Sequence, residues 1–132
     1  MLTHQAALRA YAAAINTRDV MRLEPLLANN LAYSAHWVFD ALETKRAYVD
    51  HLSARLKSFE RKGVRLYAEL ATLTHTFPGP CVVLAQDHPD NLVALVLLQL
   101  QRGLIGRIDL CGAVLAAAAR RSGEYPGRCA VA

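Results

Sequence analysis

Apolar residues near the start of the chain recur at helical spacing. Leu8, Tyr11, Ala12 and Ile15 fall at i, i+3, i+4 and i+7, which puts them on one helix face. That face is narrow and built mostly from small residues, with Tyr11 as its one large inward side chain. It suits a helix lying close against a sheet, and the pattern predicts one from about Thr3 to Asn16. Asn16 and Thr17 end it, and Asp19 caps a second helix over about Val20 to Leu27. Pro25 keeps this second helix short or bent, because proline is tolerated only in a first turn. A third helix opens at Thr44 as N-cap and reaches about Arg61. Ala47, Tyr48, His51, Leu52, Leu56 and Phe59 form its apolar stripe, with Arg46, Asp50, Arg55, Lys57 and Glu60 outside it.

The period changes to two elsewhere. Leu31 to Phe39 reads as a strand with Tyr33, Ala35 and Trp37 on one face and Ser34, His36 and Val38 on the other. Val64 to Thr74 alternates, and Pro78-Gly79-Pro80 breaks it. Cys81 to Gln86 is a short apolar strand, followed by a turn at Asp87 to Asn91. Leu92 to Gln101 is a long strand, and Leu104 to Cys111 returns after a turn at Arg102-Gly103. Both faces of Leu92 to Leu100 are apolar, whereas an antiparallel sheet normally leaves one face to water. Each face therefore needs a cover: helices on one and a second subunit on the other. A homodimer through the sheet face around Leu92–Leu100 is expected, since obligate interfaces are rich in apolar surface. Ala113 to Ala119 reads as a short helix or an extension, and Arg120 to Ala132 as an irregular tail. Helices segregated from antiparallel strands indicate an α+β fold, here one domain over residues 1–112 with a C-terminal extension over 113–132. A long helix laid across a curved sheet leaves a cone whose open end is a natural pocket.

Composition narrows the picture only a little. A chain of 132 residues, 54% hydrophobic and 20% charged, folds as one globular domain. The net charge of +4 is mild. Arg55, Lys57, Arg61, Lys62 and Arg65 gather where a helix ends, the favourable place for cations. No recognition motif accompanies them, so no nucleic-acid partner is expected. Three cysteines without metal-ligand spacing argue against a disulfide framework, and Cys81 and Cys111 read as buried free thiols. Met1 to Gln5 lacks the basic and apolar regions of a signal peptide, and the apolar run Leu92 to Leu98 is too short to span a bilayer. A soluble cytoplasmic protein without a membrane partner is the simplest expectation. No spacing suggests a metal, and no glycine-rich phosphate loop is present, so no cofactor is expected.

Tyr11-Ala12-Ala13-Ala14-Ile15-Asn16-Thr17-Arg18-Asp19, Leu26 to Tyr33, and Gly106-Arg107-Ile108-Asp109-Leu110, together with the order of elements, resemble the nuclear-transport-factor-two-like superfamily. This superfamily holds ketosteroid isomerases, SnoaL-type polyketide cyclases and limonene epoxide hydrolases, and the resemblance covers about residues 3 to 112. It implies a cone-shaped α+β barrel, or cystatin-like roll. Three N-terminal helices would pack on a curved, mainly antiparallel sheet. Tyr11 falls where ketosteroid isomerases place the tyrosine that donates to the enolate oxygen. Their catalytic carboxylate aligns with Ala35 and their second acid near Leu97, neither of which can carry a proton. Epoxide hydrolases of this fold use an Asp-Arg-Asp arrangement. Arg107 and Asp109 resemble part of it, and the second aspartate has no counterpart.

Asp109 is the charged residue of most interest. Turned into the cone, it would be desolvated and could act as general acid or base. Turned outward, it would meet water or pair with Arg107. Strand register decides, because a one-residue slip reverses every side chain. Asp109 and Tyr11 are the candidate catalytic residues, and Tyr33, Trp37, Gln99 and Cys111 the candidate ligand-binding residues. Gln86 could also place an amide in the cavity. His36 is expected at the surface or in a dimer contact, and His51 and Tyr48 in the core. Three functions stay open. The first is a small-molecule-binding protein with a mostly apolar pocket, taking a small hydrophobic ligand. The second is an enzyme of isomerase, cyclase or hydrolase type using Asp109. The third is a dimerisation domain without a ligand.

Overall fold

A computed structural model describes residues 1–35, 42–75 and 78–128. The first helix, α1, spans His4–Thr17. Thr3 caps it by accepting the Ala6 N–H at 3.1 Å, and Arg18 ends it in the left-handed region at φ 56°. Asp19 then accepts the Met21 N–H at 3.0 Å, as its capping role requires. The segment it caps is not the expected α-helix but two 3-10 turns, Val20–Arg22 and Glu24–Leu26. Pro25 has no N–H for an i→i−4 bond, so the segment tightens into i→i−3 turns. Two long helices therefore build the fold, not three.

The second, α2, spans Lys45–Arg61, and Thr44 caps it through the Ala47 N–H at 3.1 Å. The strands are β1 (Leu27–Ala35), β2 (Leu66–Leu73), β3 (Gly79–Gln86), β4 (Leu92–Gln101), β5 (Leu104–Gly112) and the two-residue β6 (Arg120–Arg121). They form one sheet in the order β1-β5-β4-β3-β2-β6. The β1–β5 pair is parallel and the others antiparallel. Because β1 and β6 lie at opposite edges, the sheet is an open, mixed sheet and not the expected closed barrel.

Both faces of this sheet are covered. On the inner face, α1 packs on β2, β3 and β4, and α2 on β1. Leu8, Tyr11, Ile15, Tyr48, Val96 and Ile108 belong to this core. On the outer face a short helix, α3 (Ala113–Ala117), lies over Ala71, Leu73, Cys81, Val83 and Leu95. The chain thus supplies part of the cover that the two-sided apolar strand demands. Beyond α3 on β4, Leu97 is half-buried and Gln99 exposed. No helix among the described residues is long and apolar enough to cross a membrane.

The expected irregular tail is a docked strap as far as Arg128. Ser122 Oγ donates to Leu70 O at 2.6 Å, and the Leu70 N–H donates to Glu124 O at 3.0 Å. Its anchor is Glu69, a β2 residue on the outer face that is only 2% exposed. Glu69 accepts from Arg121 Nε at 2.7 Å, the Gly123 N–H at 2.7 Å and the Tyr125 hydroxyl at 3.1 Å. A carboxylate buried on a strand needs such partners. They come from a distant segment (the Glu69–Arg121 pair is separated by 52 residues), which no local pattern announces. Replacing Arg121 with Met leaves Glu69 buried without its cation. The expected loss is about 2–4 kcal/mol in urea unfolding, and a change under about 0.5 kcal/mol would contradict this role.

Candidate functional site

Between the inner face of the sheet and the two long helices lies a cavity of about 140 Å³. Its walls are apolar: Ile15 from α1, Leu52 and Leu56 from α2, Leu66 from β2, Leu84 from β3, Val93 from β4 and Leu110 from β5. Tyr11 and Tyr48 line it from the two helices, and they are 3% and 1% exposed. Tyr33 lines it from β1. Its ring lies 4.9 Å from that of Tyr48 and 5.5 Å from that of His51. Toward the solvent are His51, Arg55, Tyr67 and Gln86.

The polar groups at the inner end are hydroxyls, which donate as well as accept. The Tyr11 and Tyr48 hydroxyls are neighbours, and each influences the other's titration. Burial pushes both phenols well above the ordinary value, and their mutual proximity adds to this for Tyr48. Burial also raises Tyr33, with Arg55 opposing. Two hydroxyls can share one hydrogen bond. The second proton can then serve an acceptor in the cavity. His51 is pushed below its ordinary value, first by burial and then by the Arg55 charge, so it is neutral at pH 7. No Asp or Glu among the described residues lines the cavity, and no group of His, Cys, Asp and Glu among them could hold a metal.

Of the residues singled out from the sequence, Tyr11, Tyr33 and Gln86 line the cavity. Trp37 and His36 lie outside the described residues. Asp109, Gln99 and Cys111, three of the candidates, fall on the sheet face away from the cavity, so Asp109 takes the outward of the two directions left open by the sequence. The cause is a bulge. The β4–β5 register shifts between Gln99 and Leu100, opposite Arg107 and Ile105, and Gly106 is the extra residue. A Cβ there would come within 2.7 Å of Gln101 Cβ. Ile105 and Ile108 consequently both face inward, and Leu110 follows Ile108 into the cavity wall. Asp109 then points outward. It accepts from Ser34 Oγ at 2.6 Å and from Arg107 Nε at 2.9 Å. Gln99 pairs with Arg107 in the ladder, and Cys111 packs beside the outer core. Leu97 also lies with the outer core. Ala35 is buried in the inner one, as is Tyr33.

Sequence reasoning puts Tyr48 and His51 in the core and Arg55 on the polar side of its helix, and so misses the cavity beside them. A signal was available. Tyr48, Leu52, Arg55 and Phe59 fall at i, i+4, i+7 and i+11, one stripe of α2, and all four line the cavity.

No protein-family model matches the chain, and no curated protein matches it in sequence. Solved structures do match. A putative polyketide cyclase from Pseudomonas putida KT2440 is similar with TM-score 0.59 at 15% identity, over 89% of this chain and 97% of that one. A putative ketosteroid isomerase from Kribbella flavida DSM 17836 is similar with TM-score 0.58 at 17% identity, over 81% and 75%. An NTF2-like protein of unknown function from Cytophaga hutchinsonii ATCC 33406 is similar with TM-score 0.57 at 13% identity, over 85% and 91%. The chain has the NTF2-like fold. At these identities the likeness speaks to architecture, and the chemistry of this NTF2-like cavity has to be argued from its own residues.

The depressed His51 has a measurable consequence. Between 6.5, its ordinary value, and its lower folded value, the unfolded chain binds more protons. Stability is therefore full above about 6.5 and falls as pH drops through the folded value. The imidazole resonance of His51 should titrate below 6.5 by NMR, and His51→Gln should flatten the stability profile in that window. A midpoint at or above 6.5 would contradict the half-buried, Arg55-facing placement.

Proposed function

We propose that this NTF2-like protein binds a small, mostly apolar molecule in the cavity, with an acceptor oxygen turned toward Tyr11 and Tyr48. One observation carries the reading: two deeply buried tyrosines bring their hydroxyls to a cavity whose inner walls are otherwise apolar. Size limits the guest. An apolar cavity of about 150 Å³ accommodates benzene, so about 140 Å³ takes a single ring with a few substituent atoms.

Turnover of isomerase, cyclase or epoxide-hydrolase type is supported less well. Such reactions need a proton carrier beside the substrate. Asp109 lies across the sheet, and the phenols are held protonated by burial. His51, neutral and toward the solvent, is the one ordinary base among the described lining residues.

Calorimetric titration with phenol tests the binding. One saturable site is expected. Removing both hydroxyls, Tyr11→Phe with Tyr48→Phe, should weaken phenol about fivefold or more, the worth of at least one hydrogen bond, while leaving toluene binding nearly unchanged. Absence of a site for either compound would refute the proposal.

A further inference from the structure

Arg55 sits at the solvent end of the cavity, and no acid among the described residues pairs with it. Its helical neighbours one turn away are His51, Leu52, Ser58 and Phe59, none of them acidic. Among the described residues it enters no ion pair, although Arg9, Arg22, Arg107 and Arg121 all do. Its guanidinium carbon lies 4.8 Å from the centroid of the Phe59 ring. Stacking of this kind uses the face of the guanidinium and leaves its edge donors free, in the fork geometry that matches a carboxylate.

The rest of the mouth agrees. Tyr67, which also lines the cavity, carries Arg128 over its ring at 4.2 Å. Arg128 itself is occupied, donating to Leu66 O and Asn16 Oδ1, so it adds positive potential without competing for a guest. No acidic side chain among the described lining residues would repel an anion. His51 and Tyr33 both feel the Arg55 charge, which puts the guanidinium close to the ring that would fill the cavity.

We infer that the guest carries a carboxylate, held by Arg55 at the mouth while its ring lies among the apolar walls. This rests on the binding function proposed above and names its ligand class: a single-ring organic acid with a second oxygen at the deep end. Arg55 is then the specificity-determining residue, since it separates an anionic guest from a neutral one of the same shape.

The test compares 4-hydroxybenzoate, ionised at pH 7, with neutral 4-hydroxybenzamide and with phenol, by calorimetry. Wild-type protein should prefer the acid over the amide by about tenfold or more. Arg55→Met should abolish that preference and leave the affinity for phenol, which carries no group at the mouth, within about twofold, and Arg55→Lys, a point charge without the fork, should keep part of it. Arg55 is exposed, so an unchanged thermal midpoint is expected and serves as the folding control. A preference that survives Arg55→Met, or a wild type that binds the amide and phenol but not the acid, overturns the inference and leaves the binding function standing. If none of the three compounds binds, the binding function falls and the inference with it.

Discussion

A sheet whose central strand is apolar on both faces must be covered on both, and the rest of this protein is arranged to meet that demand. β4 carries Val96 and Leu98 on one side and Leu95 and Leu97 on the other. Inside, α1 lies close because Ala7, Ala12 and Ala14 offer little bulk. α2 presents larger side chains over β1, and the space left between the two helices and the sheet is the cavity. Its position is thus a by-product of unequal helix surfaces: alanines on α1 against Tyr48, Leu52, Arg55 and Phe59 on α2.

Outside, the cover is α3, and the strap beyond it runs along the edge of β2 and back to α1. The strap is held by polar chemistry. Glu69 collects Arg121, Tyr125 and the Gly123 N–H, and Arg121 reaches on to Asp90 at 2.7 Å. Asn16 contributes from the far end of α1. Its side-chain amide donates to Ala68 O at 2.9 Å and accepts from the Ala68 N–H at 2.8 Å, as a neighbouring strand would. It also donates to Pro126 O at 2.7 Å, tying helix, sheet and strap together. A residue that reads in the sequence only as a helix terminator is therefore a structural junction.

What was legible in the sequence was local. The Thr44 cap, the α2 stripe, the bounds of β4 and the inward Tyr11 all rest on contacts within one element. What was not legible depended on distant partners or on parity. A two-residue alternation counted from Ile105 sends Asp109 inward, and the bulge at Gly106 reverses it. The parallel β1–β5 pair and the open edge could not be read from hairpin signals, because Ser34 of β1 lies opposite Asp109, 75 positions away. Arg55 looks in the sequence like an ordinary solvated cation. Only the cavity beside it gives meaning to the absence of a carboxylate partner among the described residues.

On the proposed function, the space between Tyr11, Tyr48 and Leu110 receives a ring with an oxygen at its inner end. Crystals soaked with 4-bromophenol test it most directly, since bromine marks one end of the ring by anomalous scattering. A bromine peak is expected near the mouth, beside His51 and Arg55, with the phenol oxygen within hydrogen-bonding distance of Tyr11 or Tyr48. A cavity filled by side chains, or bromine found only on the outer surface, would contradict it.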